Sequence, residues 1–271
     1  MNLDELKKIT DDSTLVNELY KVFNEDKRLT VSKSAMVEFI TTVRYIEKYL
    51  KPGAKILDIG AGSGTYSLYL AGRGYQVDAV ELADQNISCF RSKIQPGMEI
   101  NLVQGNALDL SAFKDENYDV VLLMGPLYHL HEDSDRKKAI DEAKRVCKKD
   151  GVIFFTFIGH DMVFLTELMY DRHYFRTGDY NHETMRLNDF PFIFFTVDES
   201  RKMLEDNGID ILHAVAQDGA SELMGDIIDA MDDYEYAQYL KYHEMIREKP
   251  EFLGMSNHLL YIGKKDRQSS D

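Results

Sequence analysis

The chain has 271 residues, 44% of them hydrophobic and 29% charged, which is the balance of a folded globular protein and excludes wholesale disorder. Its formal net charge is −15 and its basic residues are scattered, so we expect no nucleic-acid partner. No apolar run approaches the roughly 20 residues of a membrane span, and the acidic N-terminus is unlike a signal peptide, so we expect a cytoplasmic protein with no membrane partner.

Residues 1–50 carry the pattern of helices. Apolar side chains recur at helical spacing, first at Leu15 and Leu19 and again at Val37 and Val43. Because this pattern precedes the first strand, we predict an N-terminal helical cap over residues 1–50.

From residue 51 to 160, short apolar runs alternate with helical patterns. The runs include AKILDIG, YQVDAVEL, YDVVLLMG and VIFFTFI. Continuous apolar strands separated by helices indicate a parallel sheet that is covered on both faces. We therefore predict an α/β fold with a doubly wound, Rossmann-like, seven-stranded and mostly parallel sheet. The helix before VIFFTFI is predicted to end at Gly151.

The stretch ILDIGAGSGTYSLYLA, residues 56–71, breaks from a strand into alternating glycines and resumes as a helix. Gly60, Gly62 and Gly64 allow positive φ and a close approach of the backbone to a ligand, while the helix offers its N-terminal amides. Glu81 ends the next strand, where a carboxylate can accept hydrogen bonds from both hydroxyls of a ribose. The plainer alternative for Glu81 is a cap on the following helix.

One cofactor class to weigh for such a turn is the nicotinamide dinucleotides. A nicotinamide dinucleotide has the fingerprint GxGxxG, but the spacing here is GxGxG, and Thr65 stands where that fingerprint has Gly or Ala. An NAD-dependent oxidoreductase is therefore the alternative enzyme. A cofactor-binding regulatory module without turnover is the non-enzymatic alternative.

Residues 161–195 fit no sheet element and are crowded with aromatic residues and histidines. We predict an insertion after the fifth strand that, with part of residues 15–45, forms a lid over the active site. Packing is the commoner use of such aromatic side chains, and it is the expected role of Phe192, Phe194 and Phe195. The substrate contacts predicted in or beside this segment are His160, His173, Tyr174 and Arg176.

After residue 195 the alternation resumes. Thr196 and Glu199 have the spacing of a capping box, and Gly208 is placed to end the same helix. The run ILHAVAQ predicts a strand, residues 221–247 a long acidic helix, and HLLYIGKK an antiparallel last strand at the sheet edge. The core is thus assigned to residues 51–160 and 196–265, and a frayed tail to residues 266–271.

Five motifs in order, ILDIGAGSGTYSLYLA, VDAVEL, GNALDL, YDVVLLMGPLYHL and EAKRVCKKDGVIFF, resemble those of the class I S-adenosylmethionine-dependent methyltransferases that act on small molecules. The resemblance covers roughly residues 51–157. It implies S-adenosylmethionine as cofactor, S-adenosylhomocysteine as product and a small-molecule methyl acceptor. KKDG replaces the usual KPGG, and GPLYHL stands where amino-methylating nucleic-acid enzymes have an NPPY-like motif. We expect a monomer or a homodimer.

The resemblance also implies roles by position. Asp58 and the glycine turn would face the methionine end of the cofactor, Glu81 would bind the ribose, and Gly125 would lie below the sulfonium. Asn106 and Ala107 would border the adenine. The implied cofactor-binding set is Asp58, Gly60, Ala61, Gly62, Gly64, Thr65, Glu81, Leu82, Asn106, Ala107, Met124 and Gly125.

Tyr128 and His129 follow the fourth strand, at the carboxyl edge where open α/β sheets bind ligands. A sulfonium methyl is already activated, so a base is needed only if the acceptor must lose a proton, and histidine suits that role near neutral pH. We predict Tyr128 and His129 as the catalytic pair. A structural hydrogen bond is the alternative for His129.

No metal site is predicted, because the carboxylates show no clustering in the sequence. Asp218, Glu222 and His258 are expected to serve in loops and caps at least as readily as in chemistry. Cys89 and Cys147 lack CxxC spacing and lie in helical patterns, which favours buried thiols over a disulfide or a zinc site.

Overall fold

The computed structural model describes residues 3–23 and 25–266, so the predicted tail lies outside the described residues from residue 267 onward. The helices are α1 (Leu3–Leu6), α2 (Asp12–Val22), α3 (Lys33–Tyr49), α4 (Thr65–Ala71), α5 (Asp84–Lys93), α6 (Asp133–Val146), α7 (His160–Tyr170), α8 (Val197–Asp206), α9 (Gly225–Asp229), α10 (Asp233–Ile246) and α11 (Pro250–Leu253). The strands are β1 (Lys55–Ile59), β2 (Gln76–Glu81), β3 (Ile100–Gln104), β4 (Tyr118–Leu123), β5 (Cys147–Gly159), β6 (Phe194–Phe195), β7 (Ile209–Ala216) and β8 (His258–Lys265).

The strands form one sheet in the order β3-β2-β1-β4-β5-β8-β7, with β6 paired to β5 beside this path. Strands β1 to β5 are parallel, and β8 is antiparallel to both of its neighbours. This confirms the predicted doubly wound, mostly parallel sheet with an antiparallel last strand. Among the described residues, no helix combines the length and apolarity of a membrane span.

The predicted edge position of the last strand is wrong. Strand β8 lies between β5 and β7. Leu259, Leu260, Tyr261 and Ile262 are all buried, so both faces of this strand are covered, which is the pattern of an interior strand. The antiparallel direction of HLLYIGKK could be predicted, but its place in the sheet depends on a long-range pairing.

The predicted end of the helix before VIFFTFI is also wrong. Helix α6 ends at Val146, and β5 begins at Cys147, so Gly151 lies inside the strand. A Cβ atom at Gly151 would lie 2.7 Å from the Cys147 Sγ and 2.9 Å from the Asp119 carbonyl oxygen. Glycine is therefore required for close packing of β5 against β4, and not for the end of a helix.

Two further expectations need correction. Residues 161–195 do contribute to the sheet, because Phe194 and Phe195 pair with the end of β5. The predicted long helix over residues 221–247 is divided into α9 and α10, because Asp232 accepts the Glu235 amide and starts a new helix with a capping box. The predicted capping box of Thr196 and Glu199 is confirmed, as is Gly208, whose φ is +70°.

The two faces of the sheet bury separate cores. Leu57 and Ile59 of β1 face one core, to which α6 and α8 contribute, and Ile56 faces the other, to which α3 contributes Tyr45 and Ile46. Helices α1 and α2 form a smaller cluster of Leu6, Leu15 and Leu19 with Phe190 and Phe192. Within residues 1–50, α3 therefore packs on the sheet, whereas α1 and α2 pack on residues of the 161–195 segment.

Candidate cofactor and acceptor site

The glycine turn follows β1 at the carboxyl edge of the sheet. Gly60 and Gly64 have φ values of +74° and +86°, which disfavour any residue with a side chain. Space excludes a side chain as well, since a Cβ atom would lie 2.8 Å from Pro126 at Gly60 and 2.2 Å from Phe90 at Gly64. The turn is therefore locked between the segment after β4 and helix α5.

Glu81 is buried at the end of β2 and joins this turn to the next helix. One carboxylate oxygen accepts the Gly62 amide at 2.7 Å, and the other accepts the Ala83 amide at 2.8 Å and the Asn86 side-chain amide at 3.3 Å. Burial raises the pKa of Glu81 despite these hydrogen bonds. Ala83 directly precedes α5, so Glu81 also supports the start of that helix. This contact agrees with the alternative role of Glu81 as a helix cap.

Asp58 lies behind the turn, 3% exposed. Its Oδ2 accepts the Ser67 hydroxyl at 2.7 Å. Burial, together with repulsion from Glu81, raises the pKa of Asp58 to about 7, against the effect of that hydrogen bond. A cationic group bound nearby would favour the charged carboxylate.

These residues line a first cavity at the carboxyl edge of β1, β2 and β4. The structure brings every member of the implied cofactor set into its lining except Gly64, whose α-carbon faces Phe90 instead. Ser63, which sequence analysis did not select, adds a buried hydroxyl with no hydrogen-bond partner among the described residues. Tyr128 and His129 complete one side of the cavity.

The N-terminal segment forms the remaining wall of the first cavity, and its Val16 and Tyr20 fall within residues 15–45, part of which was predicted to lie over the active site. Ser13, Val16 and Tyr20 of α2 line the first cavity, and Ser13 Oγ accepts the Asn106 side-chain amide at 3.0 Å. Among the described residues, this cavity has no lining residue from 161–195. Ser13 and Tyr20 were not selected individually, because an amphipathic pattern indicates that a helix packs but not which of its side chains meet a ligand site.

Tyr20 and His129 meet across the mouth of the first cavity. The Tyr20 hydroxyl lies 3.0 Å from His129 Nε2, and the rings pack edge to face. Burial lowers the pKa of His129 to about 4 and raises the pKa of Tyr20 well above its ordinary value, so both are neutral near pH 7. The phenol therefore donates to Nε2 of a neutral imidazole, which keeps its proton on Nδ1.

A second cavity of about 800 Å³ adjoins the first. Tyr20, Glu25, Arg28 and Tyr128 line both cavities, and the 161–195 segment, the loop after β7 and the start of β8 supply other walls of the second. Its size suits a small organic molecule.

Only one of the four predicted substrate contacts lines the second cavity. Tyr174 lines it, whereas the structure places His160, His173 and Arg176 outside the lining of both cavities. His160 is engaged on both ring nitrogens, with Asp161 at 2.9 Å and the Leu187 amide at 3.2 Å. Its contacts are those of a structural histidine.

The second cavity also contains a group of charges that the sequence did not bring together. The Arg28 guanidinium contacts both Glu38 oxygens at 2.8 and 3.2 Å, and His258 Nδ1 lies 2.7 Å from Asp218. Burial alone would lower the pKa of His258, but Glu38 and Asp218 outweigh it and raise that pKa to about 9. His258 is therefore a cation at neutral pH.

The expectation that carboxylates do not cluster is thus wrong for Glu38 and Asp218. Their oxygens and a His258 nitrogen lie within 4.8 Å of one another, close enough to hold a metal ion. However, Arg28 already neutralises Glu38, and protonated His258 neutralises Asp218. The arrangement has the chemistry of an internal ion-pair network, because a metal ion would have to displace both cations.

Comparisons with known proteins agree with this geometry. Residues 57–155 match the family described as a methyltransferase domain. The ubiquinone biosynthesis O-methyltransferase of Stutzerimonas stutzeri (strain A1501) is 30% identical over 121 residues, which cover 44% of this chain and 51% of that protein. The matched stretch spans about half the length of the curated relatives.

Two solved structures have the same fold. The PH0226 protein from Pyrococcus horikoshii OT3 has a TM-score of 0.59 at 17% identity, over 92% of this chain and 99% of that one. Magnesium protoporphyrin IX methyltransferase from Synechocystis PCC 6803, with bound SAM, has a TM-score of 0.56 at 13% identity, over 96% of this chain and 99% of that one. The chain therefore has the fold of these two solved structures. Within that fold, residues 57–155 are the part of the chain that matches the methyltransferase-domain family.

Proposed function

We propose that this protein is an S-adenosylmethionine-dependent methyltransferase that transfers a methyl group by in-line displacement to a small-molecule acceptor. The observation that carries the proposal is the pair of adjoining cavities. The first contains the residues that the family resemblance implies for the cofactor, and the second is large enough for an acceptor. Tyr20 and Tyr128 stand at the junction, where the methyl group and the acceptor would meet.

The first cavity fits S-adenosylmethionine in the chemistry of its side chains. Glu81 is buried beside the turn and would accept ribose hydroxyls, and Asn106 would border the adenine. Asp58 supplies a carboxyl group for the cofactor's ammonium, and the unpartnered Ser63 hydroxyl offers one more polar contact. When bound, the cofactor supplies a methyl group that its sulfonium has already activated.

The protein's own residues would mainly align the acceptor and exclude water. Correct positioning can supply about 7 to 11 kcal/mol of such a barrier. If the acceptor must lose a proton, neutral His129 can take it on Nε2, directly or through Tyr20, which lies 3.0 Å away. In that role His129 and Tyr20 act as one unit, with Tyr128 against the acceptor.

The surroundings support a small acceptor rather than nucleic acid. The second cavity contains Glu38, Glu167, Asp218 and Glu222, and the whole chain is strongly acidic. A phosphate backbone would be repelled at such a surface. The 161–195 segment, together with α2, is proposed as the lid of the two cavities. A cytoplasmic location and a monomeric or homodimeric state remain predictions.

Calorimetric titration tests the proposal against both alternatives. We expect S-adenosylmethionine and S-adenosylhomocysteine to bind, and NAD⁺ and NADH not to bind. Binding of the nicotinamide dinucleotides alone would overturn the proposal in favour of an oxidoreductase. Release of S-adenosylhomocysteine with a panel of small acceptors would then separate an enzyme from a cofactor-binding regulatory module.

A further inference from the structure

One end of the second cavity carries carboxylates without cations. Glu167, Asp179 and Glu222 line it, and within residues 3–23 and 25–266 none of them forms an ion pair with Lys, Arg or His. Cations lie elsewhere along the same cavity, where Arg28 contacts Glu38, His258 contacts Asp218 and Lys7 lies over the Phe190 ring. Negative charge is therefore concentrated where the 161–195 segment, which includes most of α7, meets the loop after β7.

The carboxylates of this end influence one another. Partial burial, followed by repulsion from Asp179 and Glu222, raises the pKa of Glu167. Tyr170 donates its hydroxyl to Glu222 at 3.0 Å, which partly satisfies that carboxylate but adds no positive charge. A bound cation would relieve the repulsion among the three carboxylates.

A buried amide provides an independent observation at the same place. Asn257 lines the cavity, is 3% exposed and donates its side-chain Nδ2 to Glu222. That bond sets the orientation of the amide, and it leaves Asn257 Oδ1 buried with no donor among the described residues. A buried acceptor without a partner is costly, so this oxygen calls for an N–H or O–H group from a ligand.

The walls of this end are aromatic. Tyr170 and Tyr174 line it, and Phe190, Phe192 and Phe194 continue the apolar surface of the cavity. Aromatic faces attract ammonium groups, and apolar surface holds the body of an organic molecule.

We infer that the methyl acceptor carries a protonated amine, which binds between Glu167, Glu222 and the Oδ1 of Asn257. Its aromatic or aliphatic body occupies the apolar part of the cavity, and the atom that receives the methyl group lies at Tyr128. The inference rests on the proposed function, because it treats the second cavity as the acceptor site. It selects amines over carboxylates and phosphates of the same size.

Three probes of one shape test the inference by calorimetry on protein saturated with S-adenosylhomocysteine. They are 2-phenylethylamine, its neutral N-acetyl derivative and the anion 3-phenylpropionate. We expect the amine to bind at least about tenfold more tightly than the neutral probe, because it gains charge-assisted hydrogen bonds, and the anion to bind most weakly. The amine's affinity is expected to fall when NaCl is raised from about 50 to about 500 mM, since salt screens exposed charges.

The double variant Glu167→Gln/Glu222→Gln keeps the shape of both side chains and removes their charge. We expect it to weaken amine binding about four- to twenty-five-fold, at about two- to fivefold for each pair, with little change for the neutral probe. The control is Glu205→Gln, an exposed residue of α8 outside both cavities, which should bind the amine as the native protein does. Thermal unfolding of both variants checks that they fold.

Three outcomes would overturn the inference while leaving the proposed function in place. The first is S-adenosylhomocysteine binding without amine binding, and the second is equal binding of the charged and neutral probes. An equal loss of amine affinity in the Glu205→Gln control would also overturn it. If S-adenosylhomocysteine itself does not bind, the proposed function fails and the inference fails with it.

Discussion

Glu81 combines a structural role with a proposed binding role. Its two oxygens accept backbone amides from Gly62 and Ala83, so it holds the turn that would surround the cofactor. A carboxylate oxygen can accept more than one hydrogen bond, which leaves capacity for a ribose. A single residue therefore links the stability of the turn to cofactor affinity.

We expect Glu81→Ala to weaken the binding of S-adenosylmethionine and S-adenosylhomocysteine at least about tenfold, because hydrogen bonds to a charged group contribute about 1.5 to 3 kcal/mol each. Loss of the Gly62 and Ala83 contacts should also lower the free energy of unfolding by about 1 to 3 kcal/mol. Calorimetry and chemical denaturation measure the two effects. Glu99→Ala, at an exposed acid near the start of β3, is the control. Unchanged cofactor affinity in Glu81→Ala would remove the ribose assignment.

Tyr20, which lines both cavities, is hydrogen-bonded to His129, which lines the first. We expect His129→Ala to lower turnover about 100-fold if the acceptor loses a proton, and to leave cofactor affinity nearly unchanged. Tyr20→Phe should lower turnover less, and the double variant should lose little more than His129→Ala, since residues that act as a unit are not additive. Steady-state rates and calorimetry test this. Full activity of His129→Ala on its true acceptor would show that the residue is structural.

At the scale of elements, His258 connects the last strand to α3 and to the loop after β7. It lies 2.7 Å from Asp218 and 3.5 Å from Glu38. Its pKa is about 9 in the folded protein, against an ordinary value of 6.5. Because its pKa is higher in the folded than in the unfolded protein, protonated His258 stabilises the folded state. This contribution is complete below pH 6.5 and is lost as the pH rises through 9.

We therefore expect the free energy of unfolding to fall between pH 6.5 and 9 by up to about 3 kcal/mol through this residue. In His258→Gln this part of the pH dependence should vanish, although the variant is less stable overall because Asp218 loses its cation. Denaturation curves at several pH values give the free energy of unfolding of both proteins. The difference between the two proteins at each pH removes the contribution of the other titrating groups. Parallel stability profiles would contradict the ion-pair network.

At the scale of the whole molecule, the two cavities lie between parts of the chain that are distant in sequence. Helix α2 lines part of the first cavity, and the 161–195 segment lines part of the second. The segment was predicted to lie over the cofactor with part of residues 15–45, but among the described residues only the N-terminal part, with Val16 and Tyr20, lines the first cavity. The match to a methyltransferase domain covers neither α2 nor any of the 161–195 segment, so acceptor choice would depend on parts outside residues 57–155.

Binding of S-adenosylhomocysteine should restrict α2. Ser13 already bonds to Asn106 and Asp12 to His131, and a ligand beneath the helix would hold these contacts in place. We expect slower amide hydrogen exchange over residues 12–22 when the ligand is bound, and no change over α10, which lines neither cavity. Equal protection of α2 with and without ligand would show that it is a fixed wall.

The sequence by itself determined the sheet type and the glycine turn. Strand and helix periods, the glycines after β1 and the acid at the end of β2 are local patterns, and the carboxyl ends of neighbouring parallel strands must share one edge. Asp58, Gly60 and Glu81 could therefore be placed together without coordinates, as could the capping box that begins at Thr196.

Only the tertiary structure decided which distant residues meet at that edge. Tyr20 and His129 are 109 positions apart, and Glu38 and His258 belong to opposite ends of the chain. In the sequence, Gly151 looked like the end of a helix because it follows a helical pattern. Its packing partner, the backbone at Asp119, lies in another strand and could not be read from the local pattern. Local periodicity reports the burial of a residue but not its partner, since the partner depends on how the whole chain packs.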